Sequence, residues 1–450
     1  MKKIKHQVEG IRKNISEILK HVTLEDFPKF PLPKEVSIYR WKGGVSIRLP
    51  KKVKPYYDNI VKIFEKCEIS KELSLKDCKD ALDNAIFSKV LENLNKCKEI
   101  TQLSPKEIVE EFINELQSKT DRRVILFPIT GIDLRIGELK IGKCRFFKPS
   151  QEWCDSREIK LKDSVFKLRV GKEVSFSIPK LGSKPREHIF TVPPLCVEVS
   201  LKASTNYAFE KGLEIIEEVK GLLYLFLPFN KYAFRYEESS FGVSNICSRY
   251  NLMLPIWKAK ELETGVLFSF IVSQRRIPTR NLLLSDKILR NYKAAGFDDF
   301  SKLLGEEETE LTDIGKRIKS ALLWYGRSID EINKCKQFLH ASIALESLLT
   351  PESQEERIAS TIAEYSAFLL GRDSQSRLNL ETLLKQLYKV RSGIVHGRIT
   401  YVGEYKVSQI RSVVWALLFK FMDLIKKKKL RSYNDLLEYI KEVKYTGDLK

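Results

Sequence analysis

From about residue 283 to the end of the chain, segment after segment carries apolar residues three and four positions apart, and nothing else in the sequence limits the fold as tightly. "DIGKRIKSALLWYGRSID", "EINKCKQFLHASIALESLLT", "EERIASTIAEYSAFLLG", "LNLETLLKQLYKVRSGIVHG" and "KVSQIRSVVWALLFKFMDLIKKKK" each read as a helix with one apolar face, and "LLSDKILRNYKAAG" precedes them. Faces of this kind are buried against one another, so the stretch predicts an all-α bundle of about five or six helices. No period of solenoid type is visible.

Upstream the pattern differs. Residues 1–120 read as mostly helical, with a hairpin near 36–50, where two alternating runs flank Gly43-Gly44. "SPKEIVEEFINELQSK" opens with Ser104 as N-cap, Pro105 at the first helical position and Glu107 soon after, a strong helix start. Residues 121–280 turn to short β-rich segments such as "RRVILFPI", "GELKIGKCRFFK", "VFKLRVGKEVSFSI" and "HIFTVPPLCVEVSL". One long helix, "NYAFEKGLEIIEEVKGLLYLFL", interrupts them, which suggests an α+β domain, a sensor or an RNA-binding module. The expected fold class is thus α+β and multidomain, with residues 281–450 as the helical bundle.

Composition narrows the function classes. A chain of 450 residues exceeds one compact core, so two or three domains are expected. The 79 Lys+Arg against 59 Asp+Glu leave a net charge of +20, which suits a polyanion such as nucleic acid. Lys- and Glu-rich surfaces also occur in heat-adapted proteins, so the charge by itself names no site. The eight cysteines contain no C-x-x-C pair and none stands at zinc-ligand spacing from a histidine, so no metal and no cofactor are expected. Phosphate-loop and dinucleotide fingerprints are absent too. Scattered cysteines without a secretory leader predict a reduced, cytoplasmic protein. The basic N-terminal segment places Ile4, Val8, Ile11, Ile15 and Ile18 at helical spacing, and packing on the domain fits it better than a membrane surface. No run approaches a transmembrane span, so no membrane partner is expected.

"QLYKVRSGIVHGRI" (386–399) holds one of only five histidines. A helix from Asn379 to His396 would pack through Leu380, Leu383, Leu384, Leu387, Tyr388, Ile394 and Val395. Gly397 suits the left-handed position just past the helix, which puts His396 in the last turn. Ser392 and His396 then share a face, and the long side chain of Arg391 can swing to it. Histidines are common at helix C-termini because the dipole favours them, and R-x-x-x-x-H arises easily by chance.

The surroundings add more. "ALLWYGRSID", "FLHASIALESLLTP", "ERIASTIAEYSAFLLG" and "LYKVRSGIVHG" together resemble the Apea-like branch of the HEPN superfamily over about residues 320–420. That resemblance implies a helical bundle that dimerises and, in many members, a metal-independent endoribonuclease built on the R-x(4–6)-H motif. Carried over by position, Arg391 and His396 would be catalytic and Ser392 the polar residue after the arginine. The chemistry suits those roles. RNA carries its own 2′-OH nucleophile, an imidazole moves protons near neutral pH, and a guanidinium opposes charge developing on phosphorus. Glu346, among apolar neighbours in "ASIALESLL", is either a partner orienting Arg391 or His396, or a glutamate at the helix edge. His340, six residues earlier on the same helix, reads as a packing or capping residue. Basic clusters at 121–124, 273–280, 315–319 and 425–431 could hold RNA, with Arg275, Arg276 and Arg280 the better candidates because "RRIPTR" reads as a loop.

The expectation is a homodimeric endoribonuclease acting on RNA, with tRNA or mRNA as substrate. The resemblance implies a toxin or antiphage effector with a phage-derived trigger. The alternative is a non-catalytic RNA-binding or dimerising HEPN scaffold or sensor.

Overall fold

A computed structural model describes residues 7–21, 23–25, 36–42, 45–67, 70, 73–95, 103–118, 122–130, 132–156, 159–161, 164–170, 175–177, 186–192, 195–227, 242–243, 267–268, 282–350 and 358–446. They show an α+β mixture divided between two compact units.

The first unit takes in residues 1–124, 200–211 and 255–263. It begins with α1 (Val8–Leu19) and three short strands, β1 (Thr23–Glu25), β2 (Val36–Lys42) and β3 (Val45–Pro50). β2 and β3 pair antiparallel as the hairpin around Gly43-Gly44 predicts, and β1 adds to the other edge of β3. Helices α2 (Lys54–Glu65), α3 (Leu75–Asn95) and α4 (Pro105–Ser118) follow. Ile11, Ile15 and Ile18 of α1 are buried in one core with Ile60 and Phe64 of α2, Leu82 and Ile86 of α3 and Phe112 of α4. The apolar face of α1 is therefore occupied inside the protein. α4 starts where Ser104 and Pro105 predict, and the Ser104 carbonyl accepts the Ile108 N–H at 3.2 Å. Asp77, buried in the first turn of α3, accepts the Ser74 N–H at 2.9 Å and the Ser204 hydroxyl, which ties the 200–211 segment to that helix.

The second unit takes in residues 125–199, 212–254 and 264–450. Its strands are β4 (Arg122–Thr130), which runs across the division, β5 (Ile132–Leu134), β6 (Glu138–Ile141) and β7 (Cys144–Phe147). After the short α5 (Gln151–Asp155) come β8 (Ile159–Leu161), β9 (Ser164–Val170), β10 (Ser175–Ser177), β11 (Arg186–Val192) and β12 (Cys196–Lys202). The long helix α6 (Thr205–Phe226) is followed by β13 (Gly242–Val243), β14 (Leu267–Phe268) and β15 (Leu282–Leu284). One sheet runs β13-β4-β12-β7-β6, with β14 also on β4; another runs β10-β11-β9-β8, and β15 pairs with β5.

Eight helices complete the described chain: α7 (Asp286–Ala294), α8 (Phe297–Gly305), α9 (Asp313–Asp330), α10 (Lys334–Leu349), α11 (Ile358–Leu370), α12 (Ser374–Val395), α13 (Glu404–Lys428) and α14 (Tyr433–Thr446). That exceeds the five or six expected, because α8 and α14 went unread. α9 packs on α10, α11 on α12, and α13 lies against α9, α10 and α11. Thr312 caps α9 by accepting the Gly315 N–H at 3.1 Å, and Asn333 caps α10 through the N–H groups of Cys335 and Lys336. α6 belongs to this helical assembly rather than standing apart within the β-rich region. A Cβ on Gly221 would run into the Leu322 carbonyl, so α6 and α9 cross in backbone contact. Phe226 at its end packs against Tyr292, Phe297, Phe300 and Phe419, and Trp415 Nε1 donates to the Leu225 carbonyl at 2.9 Å.

Among the described residues no helix is long and apolar enough to cross a membrane.

Candidate active site

The site is organised by how α12 begins and ends. Asp373 and Ser376 form a capping box: the Asp373 carboxylate accepts the Ser376 N–H at 2.7 Å, and the Ser376 hydroxyl accepts the Asp373 N–H at 3.0 Å. The helix therefore starts at Ser374, earlier than the Asn379 that apolar spacing suggests. Its end matches expectation closely. His396 is the C-cap and Gly397 follows in the left-handed region at φ 69°. The Gly397 N–H reaches the Ile394 carbonyl at 3.0 Å and the Arg398 N–H reaches the Gly393 carbonyl at 2.7 Å, a Schellman stop. Ile399 then folds back so far that a Cβ on Gly393 would sit 2.6 Å from its Cδ1. Gly397 is thus called for by the turn itself, whereas a side chain at Gly393 would have to displace the end of Ile399.

The packing face of α12 is Leu384, Leu387, Tyr388 and Val390, all buried. Val395 does not belong to it. It is 51% exposed, because the helix has reached its last turn and runs clear of its neighbours.

Arg391 turns back toward α10. Its Nε donates to Glu346 Oε1 at 3.2 Å and its Nη2 to Oε2 at 3.5 Å, a fork-on-carboxylate arrangement. The Tyr388 hydroxyl donates to the same Oε1 at 3.3 Å. Glu346 is therefore a partner of Arg391, the first of the two readings its sequence context left open. Burial pushes the Tyr388 phenol well above its ordinary range, and the Glu346 charge adds to that, against a smaller opposite pull from Arg391. Tyr388 consequently stays a protonated donor at neutral pH. The sequence placed it among packing residues; its position three before Arg391, on the same helical face, was the available signal.

His396 and Ser392 are exposed. Among the described residues no side-chain hydrogen bond or ion pair reaches the His396 ring, and none joins it to Arg391. The structure thus assembles Arg391, Glu346 and Tyr388 and leaves Ser392 and His396 open to solvent on the last turn. Chemically this is a guanidinium oriented by a carboxylate, on a helix whose last turn leaves an imidazole exposed.

His340 lies elsewhere. Its ring packs at 5.4 Å on Trp324, and Nδ1 stands 3.3 Å from the Arg327 carbonyl, as a packing or capping role predicts. The basic cluster at 315–319 is a correction. Arg317 is engaged by Asp313 at 3.2 Å and the Thr350 carbonyl at 2.7 Å and stacks over Tyr433. Lys319 is buried between Glu218 at 3.3 Å and Glu308 at 3.1 Å. Those cations hold the fold together and are not offered to RNA. At 425–431, Lys426 pairs with Asp299 and Lys427 with Asp423 at the end of α13, where lysines also suit the helix dipole. Arg275, Arg276 and Arg280 lie outside the described residues.

Among the described residues no three His, Cys, Asp or Glu side chains gather as a metal site. No family model matches the chain, and neither a curated protein nor a solved structure does. The likeness to HEPN proteins therefore stands on the residues quoted above.

Proposed function

We propose that the chain is a HEPN-type endoribonuclease that cuts RNA without a metal, with Arg391 and His396 as the reacting pair. The observation that carries this reading is the Glu346 fork on Arg391, which holds a guanidinium in place on the helix that ends, five residues later, at an exposed histidine. In the reaction the 2′-oxygen bonds to the adjacent phosphorus and loses its proton to a base. The bond from phosphorus to the 5′-oxygen breaks, and that oxygen takes a proton from an acid. The products are a 2′,3′-cyclic phosphate and a 5′-OH end. His396 supplies proton transfer, Arg391 opposes the charge on the five-coordinate phosphorus, and Glu346 positions Arg391. Because RNA brings its own nucleophile, no bound water or metal is needed to begin. The resemblance supports placing such a nuclease among toxins or antiphage effectors that act when triggered.

A second reading has one observation in its favour. Two donors of Arg391 are already occupied by Glu346, and no contact links it to His396, as a non-catalytic RNA-binding or dimerising scaffold would allow. Incubating the protein with total RNA and tRNA in excess EDTA separates the two. Wild type is expected to leave cyclic-phosphate ends, and His396→Ala to cut about 10² to 10⁴ more slowly. Equal cutting by the variant, or loss of wild-type activity in chelator with recovery on one divalent ion, defeats the nuclease reading.

A further inference from the structure

The connection from α12 to α13 (residues 396–403) and the first turn of α13 hold out two aromatic rings, one each. Tyr401 is 77% exposed and Tyr405 is 75% exposed. Neither ring contributes to the core, yet the backbone that carries them is firmly anchored. Ile399 is seated on Gly393, and Val402, between the two tyrosines, is buried. Glu404 is held by Lys334 and, at 3.9 Å, by Arg411. Two aromatic side chains four residues apart, both left outside the core on an anchored backbone, suit a contact surface.

The charge around the rings limits what covers them. Residues 382–410 contain five Lys or Arg (Lys385, Lys389, Arg391, Arg398 and Lys406) and one acid, Glu404, which is already paired. Among the described residues Lys389, Arg398 and Lys406 have no carboxylate partner. A second copy packed directly on the rings would set the same cations against one another with no anion between them, which disfavours it as the cover of the rings even where two copies face each other across bound RNA. A polyanion with exposed π-faces fits both features, because bases stack on aromatic rings while cations follow the phosphates. Base-paired strands bury those faces within their own stack. The reach also suits the site: five residues of chain hold Tyr401 within about 18 Å of His396, and the Schellman turn shortens that.

We infer that Tyr401 and Tyr405, with Arg398 and Lys406, form a stacking platform for unpaired RNA bases flanking the phosphate presented to His396. The platform makes single-stranded RNA the substrate class. This rests on the nuclease reading for its position beside the cut, but its binding is measurable without cleavage.

The probe is an unstructured, fluorescein-labelled 2′-O-methyl oligoribonucleotide, whose blocked 2′-oxygen cannot attack, used alone and annealed to its complement. Anisotropy should show tighter binding of the single strand. Tyr401→Ala and Tyr405→Ala should each weaken it by about 5- to 150-fold, and the paired Tyr→Phe variant should bind as wild type because the rings remain. Circular dichroism should be unchanged in all of them, since the rings are outside the core. Unchanged affinity in the alanine variants, equal binding of duplex, or no binding at low salt overturns the platform. So does loss of self-association rather than RNA affinity in the alanine variants, which would assign the rings to a second copy. Cleavage of total RNA is scored separately: a His396→Ala protein that still cuts fails the nuclease reading while weak binding by the tyrosine variants upholds the platform.

Discussion

Glu346 is the residue whose role is easiest to mistake. It lies among apolar neighbours on α10, partly buried, where an unpaired carboxylate would be costly, and the Arg391 fork and Tyr388 hydroxyl satisfy it. Glu346→Gln keeps the shape but removes the charge and replaces one acceptor oxygen by an NH2 that cannot accept from Arg391. If Glu346 positions Arg391 for transition-state charge, cleavage should fall by roughly 5-fold, since a partly exposed ion pair is worth about 1 kcal/mol. The melting midpoint should stay within about 4 °C of wild type. Loss through kcat with an unchanged KM marks a positioning residue; a purely structural one would move the midpoint and leave the rate per folded molecule alone. Sequence reached part of this geometry. Gly397 announced the helix stop and His396 its last turn, because a left-handed residue leaves a local signature. The Glu346–Arg391 pair spans two helices and 45 positions, so no local rule could choose between partner and surface glutamate. Tyr401 and Tyr405 carry no local signal of their own, because they stand apart from the runs of basic residues and exposure is a property of the folded chain.

At the scale of elements, α6 and α9 meet at a contact that couples a close approach to a buried charge. Gly221 and Gly326 let the backbones touch, and beside them Lys220, 2% exposed, pairs with Asp330. The Tyr224 hydroxyl donates to the other Asp330 oxygen at 2.6 Å. Burial pushes the Asp330 carboxyl above its usual range, and Lys220 and Tyr224 pull it back down. Lys220→Met strands that carboxylate and should cost about 3–5 kcal/mol in urea unfolding. Lys220→Met with Asp330→Leu should recover part of it, because both charges are gone and only the Tyr224 hydroxyl loses its acceptor. The pH sign follows from the raised carboxyl. With Lys220 gone, the protonated form is favoured in the folded state, so the single variant's deficit should shrink in acid and grow as pH rises through the carboxylate range. A single variant as stable as wild type at neutral pH, or a deficit that deepens in acid, would remove this pair from the account of the fold. None of this was legible beforehand, since "GLLYLF" reads as an apolar helix and the glycine contact exists only once α9 is in place. α8 was hidden for a different reason: it is short and follows Gly296, which reads as a terminator. α14 was masked by the lysine run before it, although Asp435 caps it by accepting the Arg431 and Ser432 N–H groups at 2.9 and 2.8 Å.

For the molecule as a whole, two facts pull against each other. A single chain presents one His396, whereas cleavage needs a base for the 2′-OH and an acid for the 5′-oxygen. Two copies facing one another would supply both, which is the homodimer expected from the sequence. Each copy, however, carries a net charge of +20, so bringing two together costs electrostatic free energy that salt relieves. RNA binding runs the other way, because each phosphate contact releases counterions and log K falls as log salt rises. Raising salt from about 50 to 200 mM should therefore strengthen self-association while weakening RNA binding by a factor that grows with the number of phosphates contacted, about 10³ or more for six or more contacts. Light scattering should give a mass near twice 52.2 kDa at the higher salt, and cleavage per chain should fall on dilution once the dimer dissociates. Single-turnover rates measured across both variables would show an optimum at intermediate salt, where the dimer has formed and RNA still binds. A chain that stays monomeric at every salt, alone and with RNA, yet cleaves at a rate independent of its concentration, would mean that one His396 suffices and that no composite site exists.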